Sequence, residues 1–120
     1  MAQSAFSSPA GIPQPRVVSI TSSATPTPNA DITDLYDITA LATDATFGQP
    51  TGSVSNGQKL IIRIKDDGVP RVLAWNAVYV AGGVALPLTT VASKILTVGL
   101  LYDTANSLNK WLCIASVQET

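Results

Sequence analysis

The run KLIIRIK at residues 59–65 constrains the fold more than any other part of this chain. Leu60, Ile62 and Ile64 fall on one side of an extended backbone, and Lys59, Ile61, Arg63 and Lys65 on the other, because successive side chains of a strand point to opposite faces. That alternation marks a half-buried strand of an antiparallel sheet. Other short runs repeat the theme. RVVSITS (16–22) is alternating and β-branched. ITDLYDITAL (32–41) carries threonines that favour a strand over a helix. ILTVGLLY (95–102) is apolar on both sides and belongs at the centre of a sheet. KWLCIASVQ (110–118) closes the series, with Trp111, Cys113, Ala115 and Val117 expected on one face and Leu112 and Ile114 on the other.

Turn chemistry separates these runs. SATPTPNA (23–30) and GQPTGSVSNGQ (48–58) are connections rich in Pro, Gly and Asn, and residues 44–47 are a short extension between them. Asp66-Asp67-Gly68 is expected to turn the chain so that RVLAW (71–75) returns as the hairpin partner of 59–65. A short strand at 77–80, a turn at Gly82-Gly83, an edge or connection at Pro87 and a hairpin loop at 103–109 follow. Many short strands at this spacing predict an all-β fold, an antiparallel β-sandwich or jelly-roll-like domain over residues 16–120. Residues 1–15, MAQSAFSSPAGIPQP, read as an extended N-terminal arm: Pro9, Pro13 and Pro15 remove backbone donors, and Phe6 and Ile12 are isolated apolar side chains. An arm with no core of its own frays unless another surface holds it.

Composition narrows the function. The 120 residues suit one domain. Charged side chains make up 12% of the chain, against about 25% in ordinary globular proteins. With 46% hydrophobic residues the chain is not of the disordered class. A surface so poor in charge suits a protein that covers itself with partners, or a rigid extracellular or particle-borne domain. The net charge is −1, and the basic residues Lys59, Arg63, Lys65 and Arg71 are interrupted by Asp66 and Asp67, so no nucleic-acid surface is expected. No apolar run approaches the ~20 residues of a membrane span. The first fifteen residues lack the apolar core of a secretion signal, so synthesis and folding in the cytoplasm are expected. The lone Cys113, inside an apolar run, reads as a buried thiol.

Catalytic chemistry is sparse. The chain has no histidine, which removes Ser-His-Asp and Cys-His nucleophiles and nearly all zinc sites. No glycine-rich phosphate loop occurs. Asp31, Asp34, Asp37 and Asp44 are the richest acidic stretch, but strand geometry splits them between two faces. Solvated or turn-capping roles are therefore favoured over a catalytic pair, with a calcium site as the weak alternative. Trp111 is expected in the core. Trp75, followed by Asn76, is expected in the core or at the rim of an interface, where it could stack on a sugar. Neither a cofactor nor a catalytic residue is expected.

From Asp34 onward the chain resembles a β module of bacteriophage structural proteins. The matching pieces are DLYDITALATDATF (34–47), PTGSVSNGQKLIIRIKDDG (50–68), RVLAWN (71–76), Tyr79, LPLTTVASK (86–94) and LYDTANSLNKWLCIASVQE (101–119). The resemblance implies a non-enzymatic virion protein, oligomeric and often trimeric. In that family such modules end head or tail fibres. The residues before Asp34 hold no shaft, repeat or attachment domain, so the chain looks more like a capsid decoration (cement) protein. This implies a homotrimer on the virion's capsid surface with the major capsid protein as partner, made in the host cytoplasm. Phe6, Ile12, Pro13 and Arg16 would anchor the arm, and Trp75 would stand at an interface. The alternative implied by the same resemblance is a fibre tip that binds a host surface glycan. A carboxylate-dependent glycan hydrolase is the third and least supported class.

Overall fold

A computed structural model describes residues 14–120 and shows an all-β chain. The strands are β1 (Val17–Ile20), β2 (Leu35–Leu41), β3 (Ala45–Phe47), β4 (Lys59–Asp66), β5 (Leu73–Trp75), β6 (Tyr79–Ala81), β7 (Ile95–Asp103) and β8 (Lys110–Gln118), with a 3-10 turn at Ala105–Ser107. Six of them form one sheet in the order β1-β2-β4-β7-β8-β6, and β3 and β5 form a small second sheet. One core joins the two layers. Tyr36, Ile38, Ile62, Ile64, Val98, Leu100, Trp111 and Cys113 enter it from the large sheet, and Ala45, Phe47 and Leu73 from the small one.

The expected antiparallel sandwich or jelly roll is corrected here: the large sheet is mixed. β1, β2 and β4 run parallel, with Val17 beside Leu35 and Leu35 beside Ile61. Parallel neighbours need a crossover of a dozen or more residues, and residues 21–34 and 42–58 provide two. Each crossover descends through the second layer. The chain thus makes three stacked turns: β1 followed by residues 24–28, β2 followed by β3, and β4 followed by β5.

Residues 24–28 form a third row beside the small sheet. The amides of Thr46, Gly48 and Thr51 donate to the carbonyls of Ala24, Pro26 and Pro28 at 2.9 Å each. Proline still offers its carbonyl while giving up its N–H, so the alternation T-P-T-P supplies acceptors along one side of an extended segment. Pro26 and Pro28 are buried. The outward side of the segment satisfies itself, because Thr25 N–H donates to Ser23 Oγ and Thr27 Oγ1 donates to the Thr25 carbonyl.

Two further expectations change. Residues 71–75 are not the hairpin partner of β4; β5 lies parallel to β3 in the other layer, Leu73 beside Ala45 and Trp75 beside Phe47. The antiparallel partner of β4 is β7, paired from Lys59–Leu101 to Lys65–Ile95. A long strand apolar on both faces buries more against KLIIRIK than the three residues of β5 can. In the β7–β8 hairpin, Leu100 pairs with Cys113 but Gly99 pairs with Ala115, so Ile114 is a bulged extra residue. The bulge inverts the alternation beyond it. Trp111 and Cys113 are buried as expected, whereas Val117 is 61% exposed.

The two faces of β4 give a direct check. Ile62 is fully buried and Ile61 is 43% exposed on the opposite face. Ile62→Ala is expected to cost about 2–5 kcal/mol in urea unfolding, whereas Ile61→Ala should stay within about 0.5 kcal/mol. Equal costs would contradict the strand's orientation.

Candidate functional site

At the end of β4 the sequence Asp66-Asp67-Gly68 turns the chain toward the second layer. Gly68 has φ +104°, a conformation other residues rarely adopt. Asp66 does more than turn. Its side chain is buried and accepts three hydrogen bonds: from Thr90 Oγ1 at 2.6 Å, the Ser93 amide at 2.7 Å and the Gly68 amide at 3.0 Å. Thr90 Oγ1 in turn accepts the Arg71 amide at 2.8 Å. Thr90 N–H donates to the Arg71 carbonyl, and Leu73 N–H to the Leu88 carbonyl. Arg71 Nη2 closes the turn on both carboxylate oxygens of Asp67, at 2.8 and 2.9 Å. Segments 67–72 and 88–93 are thereby laced into one rigid tip. Ser93 is held at φ +62° within it.

Burial alone would push the Asp66 carboxyl up. The hydrogen bonds from Thr90, Ser93 and Gly68, with the nearby charge of Arg71, outweigh burial and hold it below the usual carboxylate range. With its lone pairs spent inside the tip, Asp66 is a fastener rather than an acid or base. Beside the exposed Asp67, Thr89 and Ser93 the tip presents four large apolar side chains. Val69, Val72, Leu88 and Val91 are all exposed large hydrophobics, and Leu88 reaches 66%. Such a cluster on an ordered tip is suited to contact with another surface.

The other residues singled out from sequence are placed as follows. Phe6, Ile12 and Pro13 lie outside the described residues. Arg16 stands where the chain enters β1, exposed at the surface, and its donors are engaged by neighbouring groups of the chain. Nε and Nη2 bind the Asp34 carboxylate at 3.2 and 2.9 Å, and Nη1 donates to the Asp31 carbonyl at 2.6 Å. Those hydrogen bonds hold the Asp34 carboxyl below its ordinary range. Trp75 is half-buried in an aromatic cluster. It stacks on Phe47 with ring centroids 4.3 Å apart, meets Tyr79 edge-on at 5.3 Å, and donates its indole N–H to the Pro87 carbonyl at 2.8 Å. Trp111 is in the core beside Tyr102. The Cys113 thiol is buried, and burial pushes its pKa up.

The four acidic residues of the 31–44 stretch do not converge. Asp31 accepts the Ser53 amide, Asp34 pairs with Arg16, Asp37 pairs with Arg63 at 3.1 Å, and Asp44 accepts the Val72 amide. Among the described residues no three His, Cys, Asp or Glu side chains gather as a metal site would require. Sequence reasoning missed the burial of Asp66 and the apolar tip. Thr90 and Ser93 lie more than twenty positions from Asp66, and no local pattern announces that contact.

The pH dependence of stability tests the fastener. Asp66 binds its proton less readily in the folded than in the unfolded chain. Its contribution is therefore complete above the ordinary Asp value of about 3.9 and is lost as pH falls through the lower folded value. Asp66→Asn is expected to lower stability at neutral pH by about 1–3 kcal/mol. Its decline on acidification should be shallower than that of the parent chain, though not flat, because Asp34 and Asp67 are also shifted down. Thermal melts between neutral and strongly acidic pH read both effects.

No family model, no curated protein and no solved structure matches this chain.

Proposed function

We propose that this chain is a structural protein of a bacteriophage particle: a decoration protein that binds the outer capsid surface and stabilises it, with no enzymatic activity. Its partners are two further copies of itself in a homotrimer and the major capsid protein. It is made in the host cytoplasm and ends on the capsid surface. The observation that carries this reading is the tip, where Val69, Val72, Leu88 and Val91 are exposed on loops made rigid by Asp66. Ordered apolar side chains bind without first losing loop entropy, and burying the part of each that is still exposed contributes on the order of 1 kcal/mol. Three linked copies multiply modest contacts into firm attachment. Phe6, Ile12 and Pro13 are the arm's apolar anchors in this scheme. Arg16, spent on Asp34 and Asp31, fixes where the arm leaves the domain rather than touching the partner.

A fibre tip that stacks on a host glycan fits less well. Trp75, the residue suggested for it, already has one ring face on Phe47 and its N–H on Pro87.

Binding of the purified protein to undecorated capsids tests the proposal. Val72→Asp combined with Leu88→Asp is expected to weaken binding at least about tenfold, and deletion of residues 2–15 to weaken it further. Undiminished binding by both variants, or a handful of copies per virion in place of many across the lattice, would refute capsid decoration.

A further inference from the structure

Asn56-Gly57 is the one Asn-Gly pair in the chain. Such a pair is chemically unstable in an unstructured chain. Glycine has no Cβ to shield its amide, so the Gly57 nitrogen can reach the side-chain carbonyl carbon of Asn56. The nitrogen gives up its proton and bonds to Cγ, and the side-chain nitrogen leaves as ammonia. Water then opens the resulting succinimide ring at one of its two carbonyls. Opening on one side leaves aspartate at position 56. Opening on the other leaves isoaspartate, which routes the main chain through the side-chain carbons and lengthens it by a methylene.

Bulk does not prevent this reaction in the fold. Both residues are exposed, and a Cβ placed on Gly57 would meet nothing within 4 Å beyond its chain neighbours. Hydrogen bonds hold both reacting groups instead. The Gly57 amide donates to the Tyr102 carbonyl at 2.8 Å, and Asn56 Oδ1 accepts the Thr104 amide at 3.0 Å. The proton that must leave and the carbonyl that must be attacked are thus both tied to the end of β7 and the residue after it. Gln58 fixes the turn around them. Its amide donates to the Ser55 carbonyl at 3.0 Å, its carbonyl accepts the Tyr102 amide at 2.8 Å, and its Oε1 accepts the Ser55 amide at 3.1 Å. Gly57 takes the corner of that turn at φ +85°.

We propose that Asn56-Gly57 is a latent deamidation site, kept unreacted by the hydrogen bonds to Tyr102 and Thr104 and released when the 55–58 turn opens from the end of β7. Attack requires the Asn56 side chain to swing from the Thr104 amide toward Gly57, and the Gly57 nitrogen to turn away from Tyr102. The contacts to be broken are exposed hydrogen bonds rather than buried side chains, so local opening suffices and global unfolding is not needed. The two products differ in effect. Aspartate at position 56 keeps an acceptor for the Thr104 amide. Isoaspartate displaces Gly57 from the Tyr102 carbonyl through its added methylene, next to where the β4–β7 pairing begins at Lys59–Leu101. The inference does not depend on which surface the protein binds.

Peptide mapping by mass spectrometry, with aspartate and isoaspartate separated by chromatography, tests the proposal on the full chain. Samples are held at one mildly alkaline pH and one temperature, in buffer and in unfolding urea. Conversion at Asn56 is expected to be at least about tenfold slower in buffer, the factor that one or two net hydrogen bonds supply. Thr104→Pro removes the amide that Asn56 accepts and is expected to speed conversion in the folded protein. Thr104→Ala keeps that amide and should leave the rate as it is. Circular dichroism checks that both variants are folded. Equal rates in buffer and urea for the parent chain would overturn the proposal, whether or not the proline variant folds. A folded Thr104→Pro protein that converts no faster than Thr104→Ala would overturn it as well.

Discussion

The parallel pairing of β1, β2 and β4 is the constraint on which the rest of this structure depends. Parallel neighbours oblige the chain to leave the sheet and return to the same end. Here each departure is used to lay down a row of the second layer, so that sheet and cover grow together as stacked turns. The core sits between them, closed on one side by Ile38, Ile62 and Ile64 and on the other by Phe47 and Leu73. The T-P-T-P segment belongs to this scheme. Its carbonyls accept from the β3 side, and Ser23 and Thr27 satisfy its outward groups. That edge is thereby blunted against pairing with other chains.

The end of β4 shows how a single charge organises a surface. Asp66 is buried at the junction of two distant segments, and its oxygens take a hydroxyl and two amides. Charge-assisted hydrogen bonds of this kind are among the stronger ones, and leaving them unmade in a buried place is costly. The segments it joins can therefore display valine and leucine to solvent without collapsing over them. Arg16 does a similar thing at the other end of the chain, where its fork on Asp34 and the Asp31 carbonyl fixes the entry into β1. In both places a carboxylate is tied to donors of distant residues, buried at Asp66 and exposed at Asp34.

Much of this was legible residue by residue. Strands β1, β2, β4, β7 and β8 fall where alternation or β-branched content places them, β5 lies within 71–75, β3 forms where only a short extension is expected, β6 is shifted from 77–80 to Tyr79–Ala81, and ILTVGLLY occupies the interior of the sheet. The errors are of partnership. RVLAW was expected beside KLIIRIK because the turn between them is short, but the three residues of β5 bury more as part of the second layer. The face of Val117 was misassigned because one bulged residue, Ile114, resets the alternation. Each acid of the 31–44 stretch has its own partner in the fold. Asp66, however, passed for a turn residue because its ligands lie on a remote segment.

What the sequence by itself determined is the all-β character, the position of the strands and the poverty of catalytic groups. These follow from the period-two pattern, from turn residues and from the absence of histidine, all of which are local. Which strands pair, in which direction, and which polar group is buried were decided only in the tertiary structure. Those outcomes depend on how much apolar surface distant segments can bury together, a quantity that no stretch of the chain encodes alone.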